Sequence, residues 1–334
     1  MPYARHSMIS GALRVVGQVA ALFILVLFAP ACSAGGRDFR AVPPAGNGGP
    51  PDALPAPSAW LDYLNFYRAT ARISPVTENT AWSDGDRKHA IYIVRNDALR
   101  HSEDPATVGY TPEGQKAAQQ SNLFYSCDRD TSDWRAIDTW MQSPFHALGV
   151  LDPRLVQVGY GSYKETGGNL RMGAALNVVA GTRHSRAATY PVFWPGNDTV
   201  IPINSHREGS PSPLTSCPGY TAPSGLPLIL QIGPGDLTPV VSATSFSQNG
   251  QPLEHCVFSE STYRNPDRDQ QKLGRSILGA RGAIVLVPRA PLATGTTYTA
   301  SITVNGRTHT WSFSTGGAAQ ARDVAGTLHE RQRF

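Results

Sequence analysis

Residues 139–153, TWMQSPFHALGVLDP, constrain the fold of this 334-residue chain more than any other stretch. Ser143 is a favoured N-cap residue and Pro144 suits the first helical position, so a short helix is expected to begin here and to hold His146 in its first turn. Residues 155–163 alternate and predict a strand. A preceding helix is indicated by four apolar residues at helical spacing: Trp134, Ile137, Trp140 and Met141.

The composition is that of a globular chain rich in turns. Hydrophobic residues make up 40% and charged residues 16%, with 32 glycines and 27 prolines. The length is sufficient for two domains, each with its own core. The formal charge of +4 is dispersed, and no run of lysine or arginine indicates a nucleic-acid partner.

Residues 1–31 have the pattern of an export signal. Arg5 and Arg14 precede an uncharged run at 15–28, and small residues follow it. The alternative, a lasting membrane anchor, needs about 20 apolar residues, more than this run provides. Removing the signal leaves 27 basic (29 minus two) and 25 acidic side chains, a net charge of +2.

Cys32 follows Ala29-Pro30-Ala31, which resembles the lipobox of bacterial lipoproteins, although Ala29 stands where a leucine is usual. Cys32 is therefore predicted to carry a lipid, which would be the protein's only attachment to a membrane, with residues 32–57 as a Pro/Gly-rich linker. Ordinary cleavage and full secretion is the alternative.

Three other cysteines follow the linker. Export makes a disulfide plausible, and Cys217 and Cys256 both fall in the second half of the chain, so they are predicted to pair. Cys127 would then be free.

The first part of the chain combines helices with a small sheet. Helical spacing predicts a first helix directly after the linker, a second that begins at Ser83, and a third opened by Thr111. Ser83 and Asp86 have capping-box spacing. Alternation predicts an antiparallel strand pair at residues 155–163 and 170–178. The fold class of this part is α+β.

From about residue 189 the pattern is all-β. The strongest signal is Asn305-Gly306 between two alternating arms, which is typical of a β-hairpin. About seven short strands favour an immunoglobulin-like sandwich over residues 186–316, followed by a flexible tail at 317–334. Further candidate strands are residues 227–232, 239–245 and 283–287.

Five segments together resemble the CAP superfamily (cysteine-rich secretory, antigen 5 and pathogenesis-related proteins), most closely its bacterial SCP-type members. They are WLDYLNFYRA (60–69), RKHAIYIV (87–94), LRHSEDP (99–105), QQSNL (119–123) and TWMQSPFHALGVLDPRLVQVGYG (139–161). The resemblance implies an α-β-α sandwich over residues 58–185. Residues 286–316 resemble the last hairpin of bacterial Ig-like domains.

The resemblance also implies a cleft that in the family holds two histidines and two glutamates, at times with a divalent metal. By motif, His101 and His146 match the histidines, whereas Ser121 and Ser143 stand at the glutamate positions. With both carboxylates missing, His101 and His146 are predicted to bind zinc or a similar ion weakly, and no cofactor is required. The structural alternative is two hydrogen-bonded histidines at helix ends.

The predicted function is that of an exported, non-catalytic module that binds a small molecule, a lipid or a cell-envelope component in this cleft. One alternative is a metal-dependent or serine-type hydrolase acting at the cell envelope, although two histidines and a serine lack a residue to orient the base. The other is an adhesion protein that binds through the Ig-like domain. The sequence does not decide the oligomeric state.

Overall fold

The computed structural model describes Cys32 and residues 59–317. The export signal at residues 1–31, the linker at 33–57 and the tail beyond Gly317 lie outside the described residues, so those predictions remain predictions. Within the described part, no helix has the length and apolar character needed to cross a membrane.

The first part of the fold contains five helices and a four-stranded sheet. The helices are α1 (Ala59–Thr70), α2 (Thr80–Arg95), α3 (Pro112–Ala118), α4 (Asp133–Gln142) and α5 (Pro144–Val150). The strands are β1 (Thr77–Glu78), β2 (Ser121–Ser126), β3 (Gln157–Lys164) and β4 (Met172–Asn177). Their order is β1-β3-β4-β2, with β1 parallel to β3 and the other pairs antiparallel, so β2 is an edge strand.

Helix α2 lies directly on one face of this sheet because glycines clear the space. A Cβ atom on Gly173 would lie 2.8 Å from the carbonyl oxygen of Ala90, and one on Gly161 would overlap the backbone of Arg87. On the other face, the ring of Tyr160 stacks on Trp60 at 5.1 Å. Helices therefore cover both faces of the sheet, as an α-β-α sandwich requires.

The predicted start of α2 at Ser83 is wrong. Asn79 is the N-cap, and its side chain accepts a hydrogen bond from the backbone N–H of Trp82. Ser83 lies inside the helix and donates to Glu78 Oε1 at 2.6 Å. Asp86 does not complete a capping box because its carboxylate is buried against the sheet.

The second part contains two sheets that face each other. The five-stranded sheet has the order β11-β10-β14-β15-β6, the four-stranded sheet β12-β13-β9-β5, and β7 and β8 form a separate pair. Phe193 and Trp311, one from each larger sheet, have ring centroids 5.1 Å apart. The strands are β5 (Val192–Trp194), β6 (Thr199–Ile201), β7 (Ser205–His206), β8 (Ser224–Gly225), β9 (Leu228–Gln231), β10 (Val241–Gln248), β11 (Gln251–Pro252), β12 (His255–Ser259), β13 (Ala283–Pro288), β14 (Thr297–Val304) and β15 (Arg307–Thr315).

The sequence predicts an all-β second part, but this part also contains a helix. Helix α6 (Arg268–Gly279) connects β12 and β13. Asp267 caps it, accepting hydrogen bonds from the backbone N–H groups of Asp269 and Gln270. Leu278 on its inner face is buried. An acidic N-cap and an apolar stripe are local signals for a helix, so α6 was readable in the sequence.

The predicted hairpin is formed by β14 and β15. Asn305 and Gly306 have φ angles of 50° and 76°, the left-handed values that a two-residue turn of type I′ requires. The inward side chains are buried in the sandwich, whereas the outward ones are hydroxyls that pair across the strands. Thr299 with Ser312, for example, has an Oγ–Oγ distance of 2.8 Å.

The two parts share one hydrophobic core. The ring of Phe145 on α5 lies 4.9 Å from that of Tyr263, which precedes α6, and Tyr67 on α1 lies 5.6 Å from Trp194 on β5. A buried charge cluster adds to this contact. Asp152 binds Arg154 at 2.9 Å and, across the boundary, Arg281 at 3.2 Å.

Two disulfides are present. The predicted disulfide between Cys217 and Cys256 is confirmed. The prediction of a free Cys127 is wrong, because Cys127 is bonded to Cys32, which packs beside Leu123 and Leu170. A sulfur atom in a disulfide cannot also carry a thioether-linked lipid, so this bond is incompatible with the predicted lipidation of Cys32.

Non-reducing peptide mapping of the purified protein is expected to recover Cys32 linked to Cys127 and Cys217 linked to Cys256. Reduction should release four thiols from these two pairs, and Cys127→Ser should leave a single reactive thiol at Cys32. A Cys32 peptide whose mass includes a diacylglyceryl group would contradict this expectation and restore the lipoprotein hypothesis.

Candidate functional site

His101 lies in the segment between α2 and α3 and keeps part of its surface exposed. Its Nδ1–H donates to the carbonyl oxygen of Ala118 at 2.8 Å, so the neutral ring carries its lone pair on Nε2. Burial lowers its pKa to about 4, against the opposing effect of the Ala118 hydrogen bond. His101 is therefore neutral at pH 7. His101 does not lie at a helix end, because α2 already ends at Arg95 and α3 begins only at Pro112.

His146 lies in the first turn of α5 and is also partly exposed. Its Nδ1 is 3.1 Å from Ser143 Oγ, and its main-chain carbonyl accepts a hydrogen bond from Asn122. Burial, with smaller contributions from the charges of His101 and His206, lowers the pKa of His146 to about 4. The rings of His101 and His146 are thus close enough to interact electrostatically.

The two histidines approach from opposite layers of the first part. Along the edge strand β2, Ser121 faces α2, on the side of the sheet where α3 and His101 lie, whereas Asn122 faces α5 and His146. His101 and His146 therefore lie on different sides of the sheet near its edge, close enough for the charge of one to affect the other.

Ser143 occupies the predicted N-cap position of α5, but its hydroxyl makes no capping hydrogen bond. It is buried and pairs with His146 instead. Gly209 from the second part packs over it: a Cβ atom on Gly209 would overlap the Ser143 hydroxyl. Ser143 therefore supports His146 and is shielded from solvent.

Ser121 is not brought to the open side of the site. It is buried, and its hydroxyl donates to Asp86 Oδ1 at 2.6 Å. Burial raises the pKa of Asp86 to about 7, despite the hydrogen bonds from Ser121 and the backbone of Asn177. The carboxyl group of Asp86 thus lies next to Ser121, the residue at the family's glutamate position. It belongs to α2 and is buried, so it does not face the ligand site.

The acidic residues nearest in sequence to the histidines are occupied elsewhere. Glu103 binds His89 at 2.9 Å in a fully buried pair, and Asp138 accepts hydrogen bonds from Tyr63 and Tyr67. No group of three or more histidine, cysteine or acidic side chains suited to a metal ion occurs among the residues described. The donor set at this site is therefore two imidazoles, fewer than the three protein ligands usual at a catalytic zinc.

His206 is a further neighbour of His146, and the sequence predicts no role for it. It is buried on β7, and its Nδ1–H donates to the carbonyl oxygen of Gln142, at the junction of α4 and α5, at 3.0 Å. Burial lowers its pKa to about 4. No local pattern marks this residue, since only the packing of the second part on the first brings it near His146.

A hydroxyl and an imidazole lie side by side at this site. The Ser143–His146 distance suits a nucleophile and its base, but a base with a pKa of about 4 is weak at neutral pH. No carboxylate among the described residues hydrogen-bonds His146 to orient it. A neutral imidazole can accept a hydrogen bond from a ligand hydroxyl or amine through its unprotonated nitrogen.

Comparison with known proteins finds one family to which the first part is similar. Residues 61–179 match the CAP model, described as the cysteine-rich secretory protein family. The matched segment includes His101, His146 and all four strands of the first sheet, and this similarity agrees with the resemblance seen in the sequence motifs. The match covers 119 of the 334 residues and does not extend to the second part. No curated protein and no solved structure matches the chain.

Proposed function

We propose that this protein is an exported, non-catalytic binding module whose ligand site is the cleft at His101 and His146. The observation that carries the proposal is the juxtaposition of two neutral, partly exposed imidazoles from opposite layers of the CAP domain. Ser143 holds His146 in place from behind. The second part, an Ig-like sandwich in this proposal, closes one side of the site.

The site fits a neutral ligand better than a cation or a strong anion. Neither imidazole carries charge at neutral pH, and the nearby carboxylates of Asp86 and Glu103 are buried. A hydroxyl-bearing small molecule, a lipid or a cell-envelope component could form hydrogen bonds with neutral polar groups of the cleft. A divalent metal such as zinc would be held by two imidazoles only, and hence weakly.

Calorimetric titration of the exported chain with zinc, calcium and a panel of lipids tests the proposal. For the ligand that binds, His101→Ala and His146→Ala are each expected to weaken binding at least about tenfold. This factor corresponds to the loss of one hydrogen bond to a buried partner. His184→Ala, at an exposed histidine, is the matched control and should bind like the wild type.

Two results would contradict the proposal. Identical titrations for the wild type and both histidine variants would place the binding site elsewhere. Turnover of an envelope substrate that both variants abolish would make the protein a hydrolase. Folding of each variant is checked by its thermal unfolding midpoint, so that a lost interaction is not confused with a lost structure.

A further inference from the structure

A cavity lies beside the β14–β15 hairpin of the second part. Its volume is about 200 Å³. It is bounded by the segment before β5, the loop after β9 and the β14–β15 hairpin, none of which contributes to the histidine site. The residues used below are Tyr190, Ile232, Leu237, Val304, Arg307 and His309.

One side of this cavity is apolar. Ile232 and Val304 line it, and Leu237 at its mouth is 49% exposed, which makes it one of the few large hydrophobic side chains with that much exposed surface. An apolar group in the cavity would remove part of the Leu237 surface from water, with a gain of about 25 cal/mol per Å² buried. A cavity of about 150 Å³ already accommodates benzene in another protein.

The other side carries a positive charge without a partner. Arg307 is exposed and forms neither an ion pair nor a side-chain hydrogen bond within residues 59–317. Its neighbour His309 stays neutral at pH 7, since burial and the charge of Arg307 lower its pKa. Asp236 lies close enough to Tyr190 to affect it but does not pair with Arg307. The guanidinium is therefore available to an anion from solution.

Tyr190 supplies a second unused polar group. Its hydroxyl is buried and has no hydrogen-bond partner in the part of the chain that the structure describes. Buried polar atoms are rarely left in this state, and each one calls for a partner such as water or a ligand.

We propose that this cavity binds a small carboxylate with an apolar body, with the carboxylate on Arg307 and the body against Ile232 and Leu237. Arginine is the side chain best suited to a carboxylate, because its planar fork donates two parallel hydrogen bonds. The volume restricts the body to about the size of one six-membered ring. The site is separate from the histidine cleft and does not depend on the function proposed there.

Titration of the full exported chain with benzoate and with benzyl alcohol, followed by NMR of the Ile232 and Leu237 methyl groups, tests this proposal. The two probes share the ring and differ in the charge. Benzoate is expected to bind at least about tenfold more tightly, as a charge-assisted hydrogen-bond pair provides. Leu237→Ser should weaken both probes.

Arg307→Gln separates the two contributions. This variant should remove the preference for benzoate and leave benzyl alcohol binding unchanged, whereas Arg268→Gln, at an exposed arginine on α6, should preserve the preference. His101→Ala should also leave the preference for benzoate over benzyl alcohol unchanged. The proposal is overturned by equal affinity of the wild type for the two probes, by an unchanged preference in Arg307→Gln, or by methyl groups that respond to neither probe.

Discussion

Replacing Asp152 with alanine is expected to lower the free energy of unfolding by about 3–5 kcal/mol, the range seen when one partner of a buried ion pair is removed. The Asp152 side chain has no exposed surface. Its carboxylate accepts hydrogen bonds from the side chain and the backbone N–H of Arg154, and it pairs with Arg281. Urea denaturation of the purified chain measures the effect.

The physical reason is the charge that remains. Burial alone would raise the pKa of Asp152, but the guanidinium groups of Arg281 and Arg154 outweigh it and hold the pKa below its usual value. Without the carboxylate, both guanidinium groups stay largely buried next to each other. Because Asp152 belongs to the first part and Arg281 follows α6 in the second, the variant should also loosen the contact between the two parts and increase proteolysis there.

Glu254→Ala provides the matched control. It breaks the pair between Glu254 and Arg289, whose N–O distance of 2.8 Å is similar but whose side chains are 62% and 48% exposed. Exposed pairs contribute at most about 1 kcal/mol. Equal destabilisation by Asp152→Ala and Glu254→Ala would show that the buried cluster does not hold the two parts together.

Local signals in the sequence were enough for several elements. Thr111 caps α3 by accepting the Gly114 N–H, and Asn305-Gly306 forms the turn of the last hairpin, as their positions predict. In each case the residues that determine the structure are neighbours in the chain. The CAP resemblance of residues 60–161 had the same basis, a run of short motifs.

Two features that differ from the sequence predictions depend on distant contacts, unlike α6, whose signals are local. Ser83 and Asp86 have the spacing of a capping box, but Asp86 instead accepts a buried hydrogen bond from Ser121, 35 residues away. The same holds for the site. His206 and Gly209 reach the α4–α5 junction only because the second part packs on Phe145, and no local pattern encodes that contact.

Acidification is expected to destabilise the protein steeply between about pH 6.5 and pH 4, because His101, His146 and His206 have pKa values lowered from 6.5 to about 4 in the folded state. In this range the unfolded chain binds a proton at each of these histidines and the folded chain does not. Stability contributed by the neutral rings is therefore present above pH 6.5 and lost as the pH falls.

Asp86 works in the opposite direction. Its pKa is raised from 3.8 to about 7, so unfolding releases a proton there between these values and acid favours the folded state. Three protons taken up and one released give a net uptake of two, or roughly 3 kcal/mol lost per pH unit. His309 adds to the uptake, whereas Asp138, whose pKa burial also raises, adds to the release. Urea midpoints measured at intervals between pH 7 and 4 give this slope.

Two variants with opposite effects on the slope test the assignment. His206→Asn keeps a donor for the Gln142 carbonyl but cannot titrate, so the net uptake should fall from two protons to one and the slope should halve. Asp86→Asn removes the opposing release, so the slope should rise by about half because the net uptake becomes three. A slope that is unchanged in both variants would mean that these buried groups do not control the response to acid. In that case the electrostatic coupling of His206 to His146 would lose its support. The same result would weaken the argument that the second part closes the histidine site.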